Sequence, residues 1–381
     1  MKDLEKRDIR NSSIELVKII AIFMIVIRHV TETLYSSNDW VDFDDYVFLI
    51  GNATPDVAAV ILMLFCQLGI LANNIFFVCS AWFLVGKDKT SSQKAFSLLC
   101  SVWFISLCIL AAYSVIGHYA IPVEMLVKQI FPTTFSNNWY VTCYIIFLFI
   151  YPYLNKLINN VNRKQLLEIV LFTSFLWIIA NSILRGAFFP SNIILWVTIY
   201  FLIAYLKLYC NNMMSNIGVG IALVIIGTAG FVGQVVITNF LGLHISALSN
   251  DVLRWNNNCC PFYIMIAIGV LIVALQFNYK VRFINYMSSL SLLIYLIHDN
   301  YLFKSYTRPT IWQWLYTTFG YDHVVLLDLG FSVALFLASL LISAVYKETI
   351  QRLVTKVSDK LYVVVSKAYG RIERFIIEKI N

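Results

Sequence analysis

Five side chains able to carry charge or move a proton fall within one apolar stretch near the start of the chain: Glu15, Lys18, Arg28, His29 and Glu32. Ionisable groups are expensive to hold in apolar surroundings, so each marks a candidate functional site. Lys18 and His29 are eleven residues apart, about three helical turns, which puts them on one face roughly 16 Å apart along the axis. Glu15 with Lys18 makes an i, i+3 pair, and His29 with Glu32 makes another. One stripe therefore carries a carboxylate–ammonium pair at one end and an imidazole–carboxylate pair at the other. A second stretch, MSSLSLLIYLIHDN, holds His298 followed by Asp299. His298 lies about as deep in its stretch as His29 does in the first. Two imidazoles at matched depth, each beside an acid, suit general acid–base or proton-handling chemistry, because imidazole titrates near neutrality and a carboxylate stabilises its charged form. Interhelical hydrogen bonding explains either histidine taken singly; the matched depth favours a shared centre.

Other polar groups are less specific. Asn73, Asn74 and Ser80 lie in LANNIFFVCSAWFLV and need partners in hydrocarbon, for which helix–helix contact is the plain explanation. Trp139 and Tyr140 read as interface aromatics and Pro152 as a residue at a span end. His118, His244 and His323 fall in loops or at span ends, where they are solvated. The eight cysteines include no CxxC and no paired histidine, so no metal site is expected. Cys259 and Cys260 are neighbours in sequence, a poor arrangement for a disulfide.

The elements that must position these groups follow from composition. Of 381 residues 60% are apolar and only 13% charged, with mean hydropathy +0.76; soluble domains carry about 25% charged residues. A free cytosolic enzyme, a disordered chain and a secreted disulfide scaffold are excluded. The long, unalternating apolar runs predict an all-α membrane protein rather than a barrel. At about 20 residues per crossing, ten stretches qualify: 14–36, 57–85, 95–117, 139–154, 166–185, 192–209, 217–240, 259–277, 287–303 and 323–346. The first is too long, and too charged, for a cleavable signal peptide. Most of the 28 Lys and Arg fall in the N-terminal segment, the even-numbered loops and the tail, whereas Lys128, Arg185, Arg254, Lys304 and Arg308 fall on the opposite side. The positive-inside rule then puts both termini in the cytoplasm, and the +7 net charge marks topology rather than a nucleic-acid partner. The first outer loop is acidic, with Asp39, Asp42, Asp44, Asp45 and Asp56. Residues 1–346 read as the membrane domain and 347–381 as a tail. In the tail Ile350, Val354, Val357, Leu361, Val364, Ala368, Ile372 and Ile376 recur at helical spacing among basic residues, as in an amphipathic helix on the anionic inner leaflet. No internal repeat is seen.

The order of these features resembles the acyltransferase-3 family of bacterial membrane O-acyltransferases. That family opens with an acidic residue, two intervening residues, a basic residue, ten more and a histidine; Glu15, Lys18 and His29 match. Phe76, Phe77 and Ser80 match its Phe-Phe-x-x-Ser pattern, with Ala81 replacing a glycine. Trp139, Tyr140 and Pro152 resemble its fourth-span motif, and Ser291, Tyr295 and His298 its late Ser-x-x-x-Tyr-x-x-His. The paired arginines usual before the third span are reduced to Lys87, Lys89 and Lys94. The resemblance implies transfer of an acyl group, acetyl by default, from cytoplasmic acyl-CoA as co-substrate to a hydroxyl of a surface polysaccharide or its lipid-linked precursor, in a bacterial inner membrane. No resident cofactor is implied. In that reading Lys18, Glu15 and Lys94 meet the CoA moiety, and His29 acts as base or acyl acceptor. His298 handles a second proton, and Glu32 or Asp299 orients His29. Arg28, Asn73, Asn74, Ser80, Trp139, Tyr140 and Tyr295 contact substrate, with Asn73, Asn74 or Arg28 at the oxyanion. A carrier of a small polar solute, using the same buried charges, is the alternative.

Overall fold

The apolar runs form helices throughout the computed structural model, which describes residues 11–35, 57–87, 92–116, 121–135, 138–183, 191–242, 244–245 and 257–380; no strand occurs among them. In chain order the main helices are α1 (Ser12–Tyr35), α2 (Val57–Leu84), α3 (Ser92–Ile116), α4 (Val123–Ile130), α5 (Trp139–Asn160), α6 (Arg163–Ser174), α7 (Asn192–Tyr209) and α8 (Ile217–Gly242). They continue as α9 (Pro261–Leu275), α10 (Arg282–Ser288), α11 (Ser291–His298), α12 (Arg308–Phe319), α13 (Val324–Thr349) and α14 (Gln351–Ile380). Local chemistry sets several boundaries. Asn162 and Gln165 exchange hydrogen bonds in a capping box that starts α6. Pro261 opens α9 at a position where its missing N–H costs nothing. Gly320, at φ +74°, lets the chain turn out of α12.

Six of these helices, α2, α3, α5, α7, α8 and α13, are long and apolar enough to cross a membrane. The other four expected spans take different forms. α1 has the length but carries the charged stripe. α6 runs into a π-helical segment, Phe175–Ala180, and α9 has 15 residues. The ninth stretch, expected as one crossing, is broken. α10 and α11 are separated at Ser289–Leu290, and α11 stops after eight residues at His298. A π-helical turn, Phe303–Thr307, then leads into α12. Pro152 lies inside α5 rather than at its end. The acidic loop 39–56, His118, Arg185 and Arg254 lie outside the described residues.

The core is built around α1, which packs on α2, α9, α10, α11, α12 and α13. One end of the bundle gathers the starts of α1 and α3 with the α9–α10 connection and the end of α13. There the Ser12 hydroxyl donates to Asn285 Oδ1 (2.9 Å) and Ser92 bonds Tyr362 of α14 (2.7 Å). The opposite end gathers the end of α1, the start of α2, and α4 and α12. α4 is an outer element that the spans did not announce. Its Gln129, 1% exposed, exchanges amide hydrogen bonds with Asn300 (3.0 and 3.1 Å) and accepts one from Ser106 (2.6 Å). This clasp holds the break that follows Asp299.

Candidate functional site

Near the end of α1, the helix brings His29 against the last residue of α11. His29 Nδ1 lies 3.1 Å from His298 Nε2, with both rings buried. His298 Nδ1 is 2.7 Å from the Ile294 carbonyl, which can only accept, so that nitrogen carries the proton and donates. Nε2 of His298 is then an acceptor, and His29 donates to it through Nδ1–H. These tautomers follow from the hydrogen-bond network. They leave Nε2 of His29 with a free lone pair, the arrangement a general base requires. Asp299 Oδ1 stands 3.3 Å from the same Nδ1, out of line for a hydrogen bond yet close enough to stabilise an imidazolium.

Glu32 does not join this pair. It turns to Arg28, one helical turn back, at 3.7 Å, and is the more exposed partner. Arg28 Nη1 also donates to the Cys66 carbonyl at 2.6 Å. Its side chain crosses α2 at Gly69, where a Cβ would lie 2.4 Å from Arg28 Cδ. The imidazole–carboxylate pair expected within α1 is therefore replaced by one between helices, His29 with Asp299.

His29 lines a cavity of about 530 Å³ together with Arg28, Glu32, Asn73, Trp139, Asn192, Asn257, Asn258, Tyr295, Asp299, Tyr301 and Lys304. Amides, aromatics and charges dominate that wall. A second, apolar chamber of about 210 Å³ is lined by Ile22, Phe76, Ser80, Leu98, Tyr140, Tyr144, Ser291 and Leu292. The two share Ile25, Asn73 and Tyr295. On α1, α2 and α11 alike, the apolar chamber's residues lie nearer the basic end of the bundle. The two chambers are thus stacked along the helices and meet beside His29.

Beyond the apolar chamber, at the basic end, Lys18 pairs with Glu15 at 3.2 Å and lies over the Phe83 ring. Glu15 is 3% exposed and also accepts from the Ser288 hydroxyl, so it ties α1 to α10. Lys347 adds a second cation at this end, donating to Ser289 and sitting 4.4 Å above the Tyr286 ring. Lys94 is exposed on the first turn of α3, beside the contacts of that helix with α14.

The remaining expected substrate contacts separate cleanly. Arg28 and Trp139 face the polar cavity, Ser80 and Tyr140 the apolar one, and Asn73 and Tyr295 both. Asn74 faces neither; its amide donates to the Ile70 and Asn258 carbonyls, which makes it helix-packing glue. Two groups assigned to outer loops belong near the site. Lys304 lines the polar cavity, and Arg308 is fully buried, with Nε and Nη1 lacking hydrogen-bond partners. Asp328 of α13 is also fully buried. The sequence announced them unequally: Arg308 stands outside the apolar stretches and looks the same buried or solvated, whereas Asp328 lies inside the stretch 323–346, where its charge was the signal that could have found it. Among the described residues no group of three or more His, Cys, Asp or Glu is placed to hold a metal ion.

A family model for an acyltransferase domain, of the acyltransferase-3 type, matches residues 11–348. Comparison with curated proteins and with solved structures gave no match.

Proposed function

Because this multi-pass membrane chain belongs to the acyltransferase-3 family, we propose that it transfers an acyl group, by default acetyl, from acyl-CoA to a hydroxyl of a surface glycan or its lipid-linked precursor. The observation that carries this reading is the stacking of an apolar chamber and a polar chamber that meet beside His29. A thioester on a pantetheine arm fits the first; a sugar hydroxyl fits the second, whose amides and Trp139 match the hydrogen-bonding edges and apolar faces of a sugar ring. The basic end, with Lys18 and Lys347, is the cytoplasmic end by the positive-inside rule and receives the CoA phosphates. The polar chamber opens toward the other side of the bacterial inner membrane, where the acceptor arrives.

In the chemical step His29 Nε2 removes the acceptor proton as its oxygen attacks the thioester carbonyl. The resulting imidazolium is stabilised by Asp299, and the Nδ1–H bond to His298 fixes the ring. Collapse of the tetrahedral intermediate breaks the C–S bond, and the thiolate takes the proton from His29. Mass spectrometry of the surface glycan from cells with and without the protein tests the reading: an ester-linked acyl mass must vanish without it. His29→Ala must abolish transfer, a drop of about 10²–10⁴-fold for loss of a general base, while the protein still folds. Full transfer by folded His29→Ala would sink the mechanism, and solute flux in proteoliposomes without CoA would favour a carrier.

A further inference from the structure

We infer that Tyr295, assisted by Asn73, is the oxyanion donor of this site; the inference rests on the acyl-transfer reading above. Tyr295 is 7% exposed and lines both chambers, as does Asn73. Its ring centroid lies 6.4 Å from that of His29 and 6.1 Å from that of His298. Its hydroxyl approaches Asp299 but has no hydrogen-bond partner in good geometry. A buried hydroxyl left in that condition destabilises the resting protein, so the arrangement calls for a role outside the resting state. Of the other donors expected at the oxyanion, Asn74 is committed to the Ile70 and Asn258 carbonyls and Arg28 to Cys66 and Glu32.

The position fits the charge that develops. A thioester reaching from the apolar chamber and a hydroxyl attacking from the polar one must bring the carbonyl to the shared wall. When the acceptor oxygen bonds to the carbonyl carbon, the π electron pair moves onto the carbonyl oxygen. The Tyr295 O–H and the Asn73 amide then donate to that oxyanion until the C–S bond breaks and the pair returns to the carbonyl. A donor that meets its acceptor only in the transition state accelerates the step without tightening ground-state binding.

The test uses the purified full chain in nanodiscs with acetyl-CoA as donor and water as acceptor, because thioester hydrolysis passes through the same oxyanion and released thiol is directly measurable. Tyr295→Phe is expected to lower kcat about 10²-fold, the loss typical of one oxyanion donor, with KM for acetyl-CoA within about twofold. Its melting temperature is expected to hold or rise, since the variant removes an unpartnered buried hydroxyl. Asn73→Ala should lower kcat less than Tyr295→Phe does. A Tyr295→Phe protein that keeps kcat within threefold of wild type overturns this assignment alone. So does one whose loss of activity tracks a fall in melting temperature, which is the signature of a packing role. Wild-type protein that releases no thiol above the level of His29→Ala overturns the acyl-CoA reading itself, and the assignment with it.

Discussion

The two ends of α1 carry charge pairs of the same i, i+3 spacing, but only one pair closes. At the basic end Glu15 and Lys18 meet at 3.2 Å, and Ser288 completes the carboxylate's hydrogen bonding. At the other end Glu32 points away toward Arg28, while His29 takes both its partners, His298 and Asp299, from the end of α11. The closed pair ties two helices together at the rim of the molecule. The open end leaves a histidine to be completed by another element, at the one level where a polar and an apolar chamber meet. At the anchoring end the charge is paired within one helix; at the reacting end it is paired between helices.

The sharpest way to break that comparison is to exchange the two acids. Asp299→Asn is expected to lower acyl transfer about 10²-fold, within the range general acid–base contributions span, because the imidazolium loses its stabilising charge. Glu32→Gln is expected to change it less than threefold, since Glu32 faces Arg28 at a half-exposed position and such pairs contribute about 0–1 kcal/mol. Thiol release from acetyl-CoA measures both. Equal losses would mean that the i, i+3 pair within α1 forms during turnover and that the two ends are alike after all.

The clasp over the histidine pair gives the next effect. Asp299 is held through the backbone that follows it, and that backbone is fixed by the buried Gln129–Asn300 amide exchange. Gln129→Ala leaves the Asn300 Nδ2–H without its acceptor, while Oδ1 keeps the Leu302 N–H; the cost, about 1–3 kcal/mol, would be read by denaturation of the detergent-solubilised protein. It should also lower kcat while leaving KM for the donor unchanged. A normal kcat in a destabilised Gln129→Ala protein would limit α4 to a purely structural part.

How much of this could be read from the sequence follows the same division. The matched depth of His29 and His298 was legible because helical rise is uniform and both stretches begin at the same end of the bundle. The pairing of Glu15 with Lys18 was legible because it is local. The choice of Asp299 over Glu32 was not, since spacing along one helix says nothing about which rotamer a neighbouring helix leaves open. The break in the ninth stretch was hidden as well: Ser288–Ser289 and Asp299–Asn300 are short polar interruptions of a kind that a continuous helix also carries, and only the fold shows the chain leaving the helix at both. Arg308 reads as an ordinary loop charge until α12 folds back and buries it. Gln129 sits in a segment too short and too mixed to be counted as a span.

At the anchored end the expected effect is smaller and of a different kind. Lys18 is half-buried beside Glu15 and the Phe83 ring, below the apolar chamber and on the side the charge distribution assigns to the cytoplasm. In the proposed reaction it would meet the CoA phosphates before any bond changes, an interaction equal in ground and transition states. Lys18→Ala should therefore raise KM for acetyl-CoA about tenfold, equivalent to about 1.4 kcal/mol of uniform binding, and leave kcat nearly unchanged. Lys18→Arg should bind the donor at least as well, because the guanidinium fork matches phosphate geometry. Glu15→Gln separates anchoring from binding. It keeps a group able to accept from Ser288 but frees Lys18 from its counter-charge, so donor affinity should hold or improve while stability falls. If Lys18→Ala instead lowers kcat with KM unmoved, the two ends of α1 share in the chemical step, and the division between an anchoring end and a reacting end fails.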